Sequence, residues 1–341
     1  MNSSLTLEGI AKLAGVSRST VSRVINDHPN VRASVRERVW QVIRETGYQP
    51  DASARSLVTR RTRIVGVIIP EAVTTLFIDP FFLHLLRGVT QTCNSQGYQL
   101  MLSLFNGPAG PEEMYRRVVR GGHLDGMVVA STRVGDRLAD RLMDDDVPFV
   151  MVGRHPNEQV HYVDIDNVAA ARMAVDHLAR LGHSSIGTIT GPLNACSGGD
   201  RLEGYRQALE AHRLPVDDSL IVEGDFSEES GMAAARRLLS VGVTAIFAAS
   251  DIMAVGALKV IRETGLQVPK DVALVGFDDV PIAAALQPAL TTVRQPIEQL
   301  GAMAASLLLS LLESPPEGHP PAQRLILPAK LVVRESCGAL Q

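Results

Sequence analysis

TLEGIAKLAGVSRSTVSRVIN, residues 6–26, decides how the rest of the chain is read. Ile10, Leu13 and Ala14 recur at helical spacing, and Gly15 follows where a turn needs freedom to adopt positive φ. Beyond it Val16 is apolar, and Ser17 is a suitable N-cap for a second helix that keeps Val21 and Val24 on one face. The other face carries Arg18, Ser19, Ser22, Arg23 and Asn26. Such side chains hydrogen-bond base edges and phosphates, which suits a recognition helix in a DNA major groove. The competing reading is an ordinary amphipathic helix pair.

A third helix follows in SVRERVWQVIRETG, where Ser34 and Glu37 have capping-box spacing. Val35, Val39, Val42 and Ile43 supply its apolar face, and Gly47 marks its end. Residues 1–63 hold 11 Lys/Arg against 5 Asp/Glu, a net of +6. The other 278 residues hold 22 against 32, a net of −10, so the overall charge of −4 conceals a basic head on an acidic body. That split favours nucleic acid at one end only.

From Ile64 the pattern becomes short apolar strands alternating with longer amphipathic helices. Strands are expected at Ile64–Ile69, Gln99–Leu104, Gly126–Ala130 and Phe149–Val152, then at Ile186–Thr190, Leu220–Val222, Ala245–Ala248 and Val272–Val275. Helices are expected at Pro80–Gln96, Val168–Leu181, Arg201–His212, Ser227–Ser240 and Asp251–Glu263. Alternation with Val/Ile-rich strands argues for parallel sheets covered on both faces. About 280 residues exceed what one such sheet ordinarily takes, so two lobes are expected.

Ligands in open parallel sheets sit beyond the carboxyl ends of the strands. The polar and aromatic residues just after them are therefore candidates for a small-molecule site. They are Asp79, Phe81 and Phe82 after the first strand and a long loop, and Gly153 and Arg154 after the fourth. Ser250 and Asp251 follow AIFAA, Asp278 and Asp279 follow VALVGF, and Arg201 heads RLEGYRQAL. Ser250 and Asp251 also suit a plain helix cap, and Phe81 and Phe82 also suit a core.

The segments GVSRSTVSRVIN, YQPDASARSL and TRIVGVIIP resemble the LacI/GalR family of bacterial transcription regulators, and the resemblance runs over essentially the whole chain. It implies a small all-α helix-turn-helix head on an α/β, two-lobed, periplasmic-binding-protein-like body. It implies a homodimer on near-palindromic operator DNA. Arg18 and Ser19 would meet base edges and Arg23 would do so deeper in the groove. Ser17, Thr20, Ser22 and Asn26 would hold phosphates, with Thr6 counted among the DNA-binding residues. The segment Asp51–Val58, with Arg55 and Leu57, resembles the family's hinge helix, whose leucine wedges into the minor groove. Asp51 stands where the family often has Asn.

In the body, Arg201 matches the family's effector-binding arginine and Asp278 its facing acidic residue, and Phe82 is the aromatic favoured to pack on the effector. Gly153 replaces an acidic residue of the family. Asp79, Asp251 and Asp278 with Arg154 and Arg201 suit a neutral polyol better than a purine, so a mono- or oligosaccharide is expected, with Ser250 in the same set. The resemblance also implies allostery, in which effector changes the angle between lobes and the spacing of the paired hinge helices. The expected domains are 1–49 (head), 50–62 (hinge and linker) and 63–341 (effector binding and dimerisation). Within the last, lobe 1 takes 63–164 and 292–323, and lobe 2 takes 165–291 and 324–341.

No secretory signal or membrane span is visible, and Cys93, Cys196 and Cys337 are odd in number and widely spaced, so a cytoplasmic protein with reduced thiols is expected. No metal or cofactor is expected. His177 and His183 do not share a helical face, and no GxGxxG opens a helix after the first strand. Ser197 sits in ACSGGD rather than a G-x-S-x-G elbow, so the chain is read as a non-enzyme.

Overall fold

The structure, a computed structural model, describes residues 6–25, 28–48, 61–69, 79–103, 115–116, 118–119, 121–130, 135, 137–314 and 321–339. Asn26, Arg55, Leu57, the rest of the expected hinge helix and most of the loop before Asp79 lie outside the described residues. The chain divides into two compact units, Met1–Thr62 and Arg63–Gln341.

The first unit contains α1 (Leu7–Ala14), α2 (Arg18–Ile25) and α3 (Ala33–Thr46). Gly15 and Gly47 close α1 and α3 in the left-handed region, both at φ 63°, as the glycines at those positions led one to expect. Ile10, Ala14, Val21, Val24, Val39 and Ile43 form the shared core. Two details differ from expectation. Leu13 is 59% exposed, because Ala11 rather than Leu13 turns inward beside Ile10 and Ala14. The third helix already begins at Ala33, with Arg32 at the N-cap and no side-chain cap bond, so Ser34 lies inside the first turn and no Ser34–Glu37 capping box forms.

The second unit holds two six-stranded sheets. The first runs in the order β11-β5-β4-β3-β1-β2, with β1 Ile64–Ile68, β2 Gln99–Ser103, β3 Gly126–Ala130, β4 Phe149–Val152, β5 Tyr162–Ile165 and β11 Arg324–Leu327, all paired in parallel. The second runs β12-β10-β9-β8-β6-β7, with β6 Ile186–Thr190, β7 Ile221–Glu223, β8 Ala245–Ala248, β9 Ala273–Asp278, β10 Thr291–Arg294 and β12 Lys330–Val332. Only the β10/β12 pair is antiparallel there.

Strand alternation sorts the side chains onto two faces. Val65 and Val67 share a cluster with Leu85 and Val89 of α4 (Pro80–Ser95) and Leu300 and Ala304 of α11 (Ile297–Glu313). Ile68, Met127 and Val129 lie in a separate cluster with Leu138 and Leu142 of α5 (Leu138–Asp144). In the second lobe α6 (Asn167–Arg180) and α7 (Cys196–Ala211) contribute Val175, Leu178 and Tyr205 to the first of these clusters, which is continuous between the lobes. The other face of the second sheet packs on α8 (Glu228–Ser240), α9 (Asp251–Glu263) and the short α10 (Pro281–Ala285). Helices thus cover both sheets on both faces, as parallel strands require. Helices α4 and α11 touch backbone to backbone: a Cβ at Gly88 would stand 1.9 Å from the Glu298 carbonyl oxygen.

The expected lobe boundaries at 292 and 324 are corrected by the sheets. Thr291–Arg294 pairs with β9 and belongs to the second lobe, whereas Arg324–Leu327 pairs with β5 and belongs to the first. The chain therefore crosses between lobes three times, after Ile165, after Arg294 and between Leu327 and Lys330. These strands were not foreseen because TTVR and RLIL are four residues long and carry no alternation that marks their sheet.

Candidate functional site

In the head, Thr6 caps α1 by accepting from the Gly9 amide at 3.3 Å, which leaves its O–H able to donate to a phosphate. Ser17 caps α2: its Oγ accepts from the Thr20 amide at 3.2 Å and lies 2.8 Å from both Ser19 Oγ and Thr20 Oγ1. Arg18, Ser19 and Arg23 are exposed, while Thr20 and Ser22 are half-buried beside the fully buried Val21 and Val24. Arg18 forms a surface ion pair with Glu8 of α1 at 3.0 Å. With a side chain 70% exposed, that pair contributes little and gives way easily to a stronger acceptor. The outward face of α2 is thus polar, cationic and accessible.

In the body, a cavity of about 920 Å³ including its open mouth lies between the two lobes. Each wall is a strand end or the segment just after it. Asp79, Phe81 and Phe82 come from the head of α4, Val152 and Gly153 from the end of β4, and Asp164 from β5. The second lobe supplies residues of the β6–α7 connection and of α7's first turns, including Asn194, Cys196 and Arg201. It also supplies Asp225 and Phe226 after β7 and Asp278 at the end of β9. Gln295 lines it from the crossover after β10.

Arg201 is the centre of this arrangement. It is 6% exposed, yet charged, and two of its three guanidinium nitrogens, Nε and Nη1, are held by named partners. Nε donates to Asn167 Oδ1 at 3.0 Å, Nη1 donates to the Ala249 carbonyl at 2.6 Å, and Nη1 stands 3.7 Å from Asp278 Oδ1. The guanidinium carbon lies 3.7 Å from the Phe277 ring centroid, a cation–π contact that supplies negative potential without a counter-charge. Burial works against its charge, and Asp278, Asp164, Asp79 and Asp251 in turn restore it.

The facing carboxyls are held in the opposite sense. Burial pushes the Asp278 carboxyl up to about 7, with Arg201 and the Gln295 amide opposing and Asp79 reinforcing the rise. Asp79 and Asp164 are also raised by burial, although each accepts backbone N–H bonds: Asp79 from Phe81 at 2.9 Å, and Asp164 from Arg154 at 2.7 Å and Ile165 at 2.8 Å. Donors and acceptors therefore alternate around a wall that also carries Phe81, Phe82, Phe226 and Leu300. Phe82 is mostly in the core at 5% exposure, and Phe81 packs edge-on against it, so both of the expected aromatics line the cavity.

Three expected effector residues are placed elsewhere. Ser250 caps α9 through the Met253 amide at 3.2 Å. Asp251 is fully buried, accepting from Thr292 Oγ1 at 2.6 Å and the Val280 amide at 2.9 Å, which braces β10 and the segment after β9 onto α9. Arg154 turns its guanidinium to Asp200 rather than to the cavity, with Nε 2.6 Å from Asp200 Oδ2. Both Asp residues satisfy buried or half-buried donors, the role in which a carboxylate contributes most to a fold. Gly153 does line the cavity, at φ 105°, a backbone state in which an acidic side chain would be strained.

Sequence reading missed Asp164, Asn167, Asp225, Phe226 and Gln295. Asp164 and Gln295 were passed over because their strands were not foreseen, and the rule that ligands gather at strand ends would have found both. Phe226 sits at φ 67°, with its ring seated where a side chain at Gly191 would stand 2.2 Å away. No local pattern signals that conformation.

Comparison with known proteins agrees with this architecture. Residues 6–51 match the model described as bacterial regulatory proteins, lacI family, and residues 175–337 match the periplasmic binding protein-like domain. The HTH-type transcriptional regulator CelR of Thermobifida fusca is 43% identical over 337 residues, 97% of this chain and 98% of that protein. The ribose operon repressor of Halalkalibacterium halodurans is 34% identical over 97% of this chain and 96% of its own length. Among solved structures, a CelR–cellobiose complex matches with TM-score 0.76 and 40% identity over 97% of this chain and 99% of that one. The Lac repressor dimer bound to operator and the anti-inducer ONPF matches with TM-score 0.84 and 27% identity, covering 97% and 98%. With a helix-turn-helix head, a two-sheet body and relatives that align end to end with both, the chain belongs to the LacI family of bacterial regulatory proteins.

Proposed function

We propose that this transcription regulator is a repressor that binds a near-palindromic operator as a dimer and is switched by a short neutral saccharide, of which cellobiose is the representative, held between the lobes. The observation that carries the reading is the buried Arg201 among Asp278, Asp164 and Asp79 in a cavity with aromatic walls. One cation ringed by acceptors offers hydroxyl groups both donors and acceptors, and aromatic faces suit the apolar faces of sugar rings. The surplus of carboxylates disfavours a phosphorylated or carboxylate ligand. The similarity to a regulator solved with cellobiose supports the same class.

The residues assigned to operator contact are Arg18, Ser19 and Arg23 for base edges, with Ser17, Thr20 and Ser22 toward the backbone. Asp79, Phe81, Phe82, Arg201 and Asp278, joined by Asp164, Asn167, Asp225, Phe226 and Gln295, are assigned to the effector. No helix among the described residues is long and apolar enough to cross a membrane. The relatives are named as regulators, and the reading assigns the cavity no reaction.

The test is fluorescence anisotropy of labelled promoter DNA titrated with the protein, with and without cellobiose, at several salt concentrations. Specific, salt-sensitive binding that changes with the sugar is expected, and Arg201→Lys should keep the DNA affinity while losing the response. Salt-independent binding, or a DNA affinity indifferent to every neutral glycoside tried, refutes the proposal.

A further inference from the structure

Arg154 and Asp200 belong to different lobes. Arg154 follows β4 in the first, where its amide is tied to Asp164 of β5 at 2.7 Å. Asp200 lies on α7 in the second, next to Arg201 and 8% exposed. Two guanidinium nitrogens, Nε and Nη2, engage the two oxygens of the one carboxylate, the fork geometry in which Arg–carboxylate bonding is strongest and most directional. Among the described residues no other ion pair joins the two lobes. Neither side chain lines the cavity, but Gly153 and Cys196, their near neighbours in sequence, both do.

We propose that Arg154–Asp200 is an interlobe clamp at the cavity mouth: it holds the lobes together before any effector enters, and so sets how much of the closing free energy the effector itself must supply. The proposal rests on the reading of the cavity as the effector site. Arg154 and Asp200 are positioning residues, acting on the cleft and on Arg201 through the first turns of α7 rather than by touching the ligand. A pair half in solvent is strong enough to bias an opening motion and weak enough to be broken by it: the Arg154 side chain is 49% exposed.

The chain carries its own reporter. Cys196 lines the cavity and is half-buried, whereas Cys93 and Cys337 are 0% and 2% exposed and report on unfolding. Full-length wild type and Arg154→Ala are alkylated with iodoacetamide, and the three cysteines are followed by peptide mass spectrometry. Loss of the clamp should speed modification of Cys196 several-fold, with Cys93 and Cys337 unchanged. The electrostatic effect has the opposite sign: burial pushes the Cys196 thiol up and Arg154 only partly offsets it, so removing Arg154 alone would raise the thiol further and slow the reaction. The charge-swapped double variant, Arg154→Asp with Asp200→Arg, should return the rate toward wild type. In titration calorimetry, the dissociation constant for cellobiose should rise roughly 3- to 30-fold in Arg154→Ala and recover in the swap. Slower or unchanged Cys196 modification, or equal acceleration at all three cysteines, overturns the clamp. Failure of wild type to bind cellobiose or any other neutral glycoside tried refutes the saccharide reading, while the alkylation rates still decide the clamp.

Discussion

Asp278 makes effector binding depend on pH in a direction that can be worked out beforehand. Its carboxyl is pushed up to about 7, chiefly by burial, although Arg201 and Gln295 favour the ionised form. At pH 6 the unliganded protein therefore holds it mostly protonated. A sugar hydroxyl that donates to Asp278 stabilises the carboxylate, so binding releases a proton and affinity rises as pH rises from about 5 to about 7.5, then levels. One or two charge-assisted bonds are worth roughly 1.5–3 kcal/mol, so the dissociation constant should fall about ten- to a hundredfold across that window. Stability of the unliganded protein follows the reverse course. The unfolded carboxyl titrates near 3.8 and the folded one near 7, so the folded state's advantage is complete below the lower value and is lost as pH rises through the upper. At its limit that loss is of the order of 4 kcal/mol. Titration calorimetry from pH 5 to 8 in buffers of different ionisation enthalpy counts the proton, and Asp278→Asn should flatten the profile. A dissociation constant that rises with pH in wild type, or an equal slope in Asp278→Asn, refutes Asp278 as the acceptor.

Arg18→Ala should relax base preference at one position of each operator half-site at a cost of roughly 1–3 kcal/mol, read by competition among operator variants; undiminished discrimination removes Arg18 from base readout. Asp251→Ala should destabilise the body by about 3 kcal/mol in urea unfolding, since Thr292 and Val280 lose a buried acceptor. The folded fraction should still bind effector within about threefold of wild type, and a far larger loss would return Asp251 to the site. Gly88→Val should cost about 3 kcal/mol or more by forcing α4 from α11, and a thermal midpoint equal to wild type would contradict the close backbone contact.

Much of the molecule was legible because its signals are local. Gly15 and Gly47 announce helix ends through one backbone preference, and Val21 and Val24 announce a buried face through one period. Arg201 and Asp278 line the cavity, as their places after strands and the family resemblance led one to expect. Leu13 misled because three apolar residues compete for a narrow face on an eight-residue helix, and only packing against α3 decides which turn inward. Ser250 and Asp251 misled because helix cap and ligand contact use the same residue types at the same strand end.

The sequence by itself determined the cationic outward face of α2, the basic head on an acidic body, and the strand–helix alternation that makes two covered sheets. Each follows from the order of residues along a helix or strand. Only the tertiary structure decided which lobe owns Thr291–Arg294 and Arg324–Leu327, that Asp251 braces while Asp164 lines the cavity, and that Arg154 reaches Asp200 instead of a ligand. Those outcomes depend on residues tens of positions apart meeting across a sheet edge or a cleft. Which partner a buried charge finds there is settled by the competition among all nearby groups for the same few donors and acceptors.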